Sequence, residues 1–556
     1  MKHWVRIGGT LSPLGFATGA HMNLRIVIAA VSALLTSLPL HGAEQNMGVI
    51  SFENSGAPAA QADFIKGLAA LHNFQYPLAA QAFVRAQAAD PDFALAYWGE
   101  AMSYDHAVWH EQDKKSGRAA LAKLGATSEA RAAKAKTPRE KAYLAAVETL
   151  FSEGGEENRE RRYALAMEQL HAKYPDDIDA TCFYALALLG TSNAGRDVPT
   201  YMRAAALMQD IFERHPQHPG AAHYLIHAVD DSVHAPLGLR AADAYAKIAP
   251  DSPHAQHMTS HIYLALGMWE ETVAANERAI RLSKTTGCGH AVTWLGYAYL
   301  QQGRFADARR LTEACGQEMR THPSMPEHAM GAQSALDSDR SSAASFAVMR
   351  SRYLIDTGEW SSPIAALKVN VDGLISAEFT RDWVDAYAAV RFGKPDAALP
   401  AIERSKDSIK RYAAAVQAAG AGADSPRMRI AKIEQQQLEG LLLVKQGRAN
   451  EGIALLSEAA AGERASPMEF GPPSLDKPAN ELLGEVLLEQ GRAKEACAAF
   501  EAAQVLAPGR GQSLIGLAKC ARQLGHLEVA DSAEARLAKV RLREALTSYI
   551  TPGTSE

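Results

Sequence analysis

Residues 67–91 read GLAALHNFQYPLAAQAFVRAQAADP, and residues 484–508 read GEVLLEQGRAKEACAAFEAAQVLAP. In the first, Gly67, Ala79, Phe83, Ala86 and Pro91 fall 12, 4, 3 and 5 residues apart; in the second, Gly484, Ala496, Phe500, Ala503 and Pro508 keep the same intervals. Two segments far apart in the chain therefore share one template, the mark of a repeat architecture. HAVTWLGYAYLQQGRFADARRL (290–311) carries Leu295, Gly296, Tyr299, Gly303 and Ala308 in the same frame, and LEGLLLVKQGRANEGIALL (438–456) carries Gly440 and Gly447. The template predicts paired helices. Small residues let two helices approach closely, a glycine opens the turn between them, and a proline ends the second.

These slots resemble the tetratricopeptide repeat, a helix–turn–helix unit of about 34 residues. The resemblance implies an all-α fold, an α-solenoid in which each hairpin buries its face against the next. It is clear over residues 60–93, 219–320 and 433–541, whereas at 111–200 and 330–430 helical segments persist but most template slots fail. Breaks at GAGADSPRM (420–428) and SPMEFGPPSLDKPAN (466–480) suggest an N-terminal array over 44–330, an irregular helical middle over 331–430, a C-terminal array over 431–545 and a tail over 546–556. The recurrent QGR at 302–304, 446–448 and 490–492 reads as a hairpin turn rather than a phosphate loop.

The 556 residues carry a net charge of −6 with 22% charged and 47% hydrophobic residues, so the chain is globular, and no basic block suits nucleic acid. From Met22, a candidate true start, Arg25 precedes an apolar run Ile26–Leu40 and small residues Gly42 and Ala43. That layout is a secretory signal peptide ending near residue 43, which places the mature protein in the periplasm or outside the cell, with no transmembrane span after cleavage. Five cysteines include no CxxC or CxxCH, so neither a thioredoxin motif nor covalent haem is indicated, and no nucleotide motif is present. Cys288 and Cys315 stand near the start of one helix and the end of its antiparallel partner, either as a disulfide or as two buried thiols.

Histidine falls into register with the repeat. Pro219 and Pro253 are 34 apart, as are His223 and His257, and His227 and His261. Within a unit, His223 and His227, and likewise His257 and His261, are spaced i, i+4, so their rings share one helix face. His254 extends the stripe, and His290 takes the same slot in the next unit. The tetratricopeptide resemblance implies that slots 2, 5, 9, 12 and 13 of each first helix line the concave groove. It puts His223, His227, Asp230 and Asp231 there, together with His254, His257, His261, His290, His72 and His106.

Imidazole is a common ligand for zinc, copper and iron. The expected ligands of a transition-metal site are His223, His227, His257 and His261, with His254, His290 and Asp230 as alternates. The alternative is a structural or ligand-contacting role for the rings. Glu100, Asp105 and Asp230 are candidate acids or bases. Trp98 and Tyr104 line a pocket or fill the core, and Asp231 either accepts from a histidine or ends a helix. Function is then expected as an exported scaffold binding a peptide, protein or small ligand in its groove, with a metal site. The alternative is a metal-dependent enzyme, hydrolytic first and oxidoreductive second.

Overall fold

The computed structural model describes residues 45–541 apart from 193–194, 286, 322–340, 369–370, 372–373, 394 and 419–425. The expected signal peptide and the tail lie outside the described residues. From Asn46 onward the described residues form one unit of antiparallel helix pairs, and the described β-structure is a single two-residue pairing of Asp105–His106 with Glu111–Gln112.

The repeat template is an aromatic wedge between small residues. The ring of Phe83 lies where a side chain on Gly67 or Gly99 would sit: a Cβ at either position would meet it at 2.9 or 2.4 Å. Phe500 stands in the same relation to Gly484 and Gly516, at 2.9 and 2.2 Å. Each phenylalanine thus pins its own hairpin to the next, and a methyl on the facing glycines would drive the helices apart. Gly303, Gly447 and Gly491, the central residues of the three QGR turns, adopt φ of +73°, +83° and +74°, a conformation that disfavours L side chains.

Helix starts follow local chemistry. Pro219–Val229 and Pro253–Ala265 both open with proline at the first position, where no backbone donor is lost. Ser252 caps the second by accepting from the Ala255 N–H at 3.2 Å, and the His218 ring caps the first by accepting from Ala221 at 3.3 Å. His290–Gln301 starts after Gly289, whose φ is +126°. These three helices pack in series, with Leu239–Ile248 and Trp269–Ser283 as their antiparallel partners.

Packing runs on through the middle of the chain: Phe305–Thr321 lies on Ser342–Thr357, and Ile375–Phe392 lies on both Ser342–Thr357 and Pro426–Lys445. The C-terminal repeats then turn back onto the histidine-bearing ones. Trp269 donates its Nε1–H to the Gly509 carbonyl at 3.1 Å, and Gly511 N–H donates to Gln301 Oε1 at 3.0 Å. Between them Arg510, buried, pairs with Asp356 and Glu481 and donates to the Tyr297 hydroxyl at 3.2 Å. Disulfides join Cys288 to Cys315 and Cys497 to Cys520, while Cys182 is a buried thiol. The second bridge was not foreseen, because cysteine spacing alone fixes no pairing. Among the described residues no helix is long and apolar enough to cross a membrane.

Candidate metal centre in the groove

The helices Pro219–Val229, Pro253–Ala265 and His290–Gln301 present six imidazoles to one another. Donor atoms of His223, His227 and His254 lie within 4.8 Å of one another, and so do those of His257, His261 and His290. His227, Asp230 and His261 form a third such group that links the two. His223, His227, His257 and His261 are buried, His254 is half-buried and His290 is exposed.

Hydrogen bonds fix which ring nitrogen carries the proton. His223 Nδ1 lies 2.6 Å from the His72 carbonyl and must donate to it. His257 Nδ1 lies 2.7 Å from Asn276 Oδ1, and the amide cannot be turned around because Asn276 Nδ2 donates to the Thr272 carbonyl at 2.9 Å. His261 Nδ1 faces the Asp230 carboxylate at 2.8 Å, with His227 Nδ1 on the same oxygen at 3.4 Å. All four rings therefore donate through Nδ1 and carry a bare lone pair on Nε2 when neutral. Yet His257 Nε2 and His261 Nε2 face each other at 3.2 Å. Two lone pairs at that distance repel unless a cation stands between them. The Nε2 of His227 is also buried, with no hydrogen-bond partner. For His223 a proton suffices, since His254 Nε2 at 3.1 Å can donate to it.

The surroundings favour the neutral form of His223, His254, His257 and His261. Burial lowers the proton affinity of His223, His254 and His257 well below the ordinary histidine value, and neighbouring imidazoles add to the effect. Burial likewise takes His261 down to about 4 despite the opposing pull of Asp230. Asp230 itself stays ionised: burial alone would raise it, but Arg196 and the two histidines hold it below the usual carboxylate range. Arg196 bridges Asp230 and Asp231, and Asp231 in turn holds His234 Nδ1 at 2.8 Å. Asp231 is thus one layer behind the rings.

Aromatic faces close the site. His261 lies between Trp294, with ring centres 4.4 Å apart, and Phe470 at 5.2 Å, both nearly parallel to it. Phe74 packs edge-on to His223 at 4.3 Å. Phe470 belongs to the 466–480 break. That segment runs across the histidine wall, with Gly471 against Trp294 and the Pro473 carbonyl accepting from Arg352 at 3.3 Å. The chain's own loop therefore fills the groove at the histidines.

Other candidates fall elsewhere. His72 is buried and bonds Asp179 Oδ1 at 2.8 Å and the Tyr224 hydroxyl at 3.0 Å. His218 reaches the same Asp179 oxygen at 3.4 Å. This trio also has ligand-like spacing, but His218 Nδ1 already accepts from the Ala221 N–H, so its Nε2 bears the hydrogen and offers no lone pair, although it completes no hydrogen bond to Asp179. His106 does not continue a first helix, as its slot implied. That helix ends at Met102, and the ring stacks on Tyr76 at 3.9 Å. Glu100 is buried against Gln87 and Lys123 at 2.7 and 2.5 Å, and Asp105 takes the Gln112 amide at 2.6 Å. Among the described residues neither joins a histidine group. Trp98 is fully buried against Tyr143 and Phe183, and Tyr104 is half-buried at the same core rather than in the groove. Asn276, Arg196, Trp294 and Phe470 escaped the sequence reading. Only Trp294, one turn past His290, carried a periodic signal.

Models of the tetratricopeptide repeat match residues 289–314 and 438–511, two of the segments whose hairpins are described above. The chain carries tetratricopeptide repeats. No curated protein matches it. Its helices superpose loosely on solved repeat structures: the yeast Tom70 crystal structure (14% identity, 85% of this chain and 99% of that one, TM-score 0.34), the TPR domain of P58(IPK) (13%, 84% and 98%, 0.23) and Cut9–Hcn1 of the APC/C hetero-tetramer (10%, 89% and 82%, 0.35). In this solenoid the histidines fall on three first helices, Pro219–Val229, Pro253–Ala265 and His290–Gln301.

Proposed function

We propose that this tetratricopeptide scaffold holds a transition-metal ion on its inner wall and uses it on a small molecule. One observation carries the reading: His257 and His261 turn their Nε2 lone pairs on each other at 3.2 Å while Asn276 and Asp230 hold both Nδ1 atoms as donors. A metal ion accepts both lone pairs at once. His290 completes one three-imidazole set, and His223, His227 and His254 offer a second. Three protein ligands leave a coordination position for water or substrate, the pattern of a catalytic rather than a structural zinc site. All-imidazole donors suit zinc, copper or iron. Hydrolysis by metal-bound water is the first reaction class, and redox chemistry the second. The Phe470 loop across the rings favours a small substrate over an extended peptide at that point. Protein binding belongs to the remaining repeat surface. The two disulfides support an oxidising, extracytoplasmic location for the mature chain.

The test is elemental analysis by plasma mass spectrometry of untagged protein, beside the His257→Ala/His261→Ala double variant. Near-stoichiometric metal in the parent and its loss in the variant is the expected result. No retained metal, and none taken up from zinc, copper or iron salts, overturns the reading.

A further inference from the structure

A cavity of about 360 Å³ opens beside His290, within the size range of small-ligand pockets. Its walls include four aromatic rings, those of Trp294, Phe379, Tyr412 and Phe470. Two carboxylates also line it, Glu434 and Asp476, both buried. One cation is present, Arg352, whose Nε lies 3.7 Å from Asp476 and whose Nη2 is spent on the Pro473 carbonyl. Two carboxylates against one guanidinium leave one negative charge over. The carboxyl left without a counter-charge is that of Glu434, because Arg352 stands beside Asp476. The Glu434 side chain is 5% exposed and accepts from the Asp476 backbone N–H, and no cation among the described residues pairs with it.

A buried carboxylate without a cation is costly. Burial and the nearby Asp476 accordingly push the Glu434 carboxyl well above the ordinary carboxylate range. A cationic guest would remove that cost, and aromatic faces attract organic cations while burying their carbon frame. We propose that this cavity binds a small organic amine as its ammonium, with Glu434 as counter-charge and the four rings around its hydrocarbon part. That such an amine is the substrate of the metal centre rests on the metal reading, through His290, which the cavity and the second histidine set share. That the cavity takes an amine does not.

The test is calorimetric titration at neutral pH with three probes of one size: 2-phenylethylamine, 2-phenylethanol and 3-phenylpropanoate. Each is run on metal-loaded and on chelator-stripped protein, for the parent and for Glu434→Gln, with metal content measured alongside. In the parent the amine should bind at least about tenfold more tightly than the alcohol, a gap in keeping with a desolvated charge contact, with the acid weakest. In Glu434→Gln the amine–alcohol gap should close to within about twofold, with metal content unchanged. Equal binding of amine and alcohol by the parent, or no binding of either, overturns the proposal, as does a gap that survives in Glu434→Gln. The parent's three-probe ranking decides the matter even where the variant does not fold. Stoichiometric metal without amine preference sinks the amine pocket and leaves the metal centre. Amine preference in a protein that takes up no metal does the reverse.

Discussion

His257 and His261, one helical turn apart, aim their Nε2 atoms at each other across 3.2 Å while Asn276 and Asp230 hold their far sides. Neighbouring rings on one helix face need not do this, since a neutral imidazole can place its proton on either nitrogen. The outer partners remove that freedom. They orient the rings as the residues behind a metal ligand do.

Asn276→Leu keeps the shape of that partner and removes the acceptor. The His257 ring then regains its other tautomer. Metal affinity should fall by about 10- to 100-fold, the usual effect of losing such a partner. Competition against a chromophoric chelator measures the change, with circular dichroism confirming that the helices remain. Unchanged affinity would mean that Asn276 does not orient a ligand.

Phe470 covers His261 from a loop with no repeat periodicity. Phe470→Ala should speed metal loss to excess chelator. The equilibrium affinity should fall by no more than about tenfold, because one aromatic stack is worth roughly 0.5–1.5 kcal/mol. Stopped-flow chelation and equilibrium competition separate the two effects.

Arg510 ties the C-terminal repeats to the rest through Asp356 and Glu481, all three buried. Arg510→Met leaves Asp356 with the Gln301 amide but no ion pair, and Glu481 with a Lys477 that Glu485 shares. The expected loss is about 3–5 kcal/mol of unfolding free energy, the cost of stranding buried charge. Urea denaturation reads it directly, and a loss below about 1 kcal/mol, the worth of an exposed pair, would contradict the assignment.

Glu434 should make the protein less stable as pH rises. Its carboxyl, facing Asp476 with Arg352 beyond, holds a proton more tightly folded than unfolded. Above the ordinary carboxyl value of 4.5 the folded state is thus the one with more protons bound, and stability falls with increasing pH. Glu434→Gln removes its share of that slope and leaves the part from Asp476, whose proton affinity burial also raises. The variant's melting temperature should match the parent's near pH 4 and exceed it near pH 7, as followed by thermal denaturation across a pH series without ligand.

The hairpins were legible because the wedge of Phe83 or Phe500 between glycines needs fixed spacing, and fixed spacing survives in sequence. The rings at 223, 227, 257 and 261 were legible for the same reason: a 34-residue frame puts equivalent positions on adjacent first helices. What holds those rings was not. Asn276 lies on a second helix, Arg196 in a stretch where the template fails, and Phe470 in a loop that crosses from the other array. Asp179, which gathers His72 and His218, sits 107 residues from one of them. His106 shows the opposite failure: the frame continued past Met102, but the helix did not. Glu100 and Asp105 stood out as carboxylates in the aromatic stretch 96–113, but they are engaged with Lys123, Gln87 and Gln112.

The most direct test of the metal centre is anomalous X-ray diffraction from crystals of metal-replete protein, recorded above and below the absorption edge of the bound element. The account predicts an edge-dependent peak about 2.0–2.3 Å from the Nε2 atoms of both His257 and His261. Loaded crystals with no such peak, and with the two Nε2 atoms still about 3 Å apart as in a shared proton bond, would contradict it.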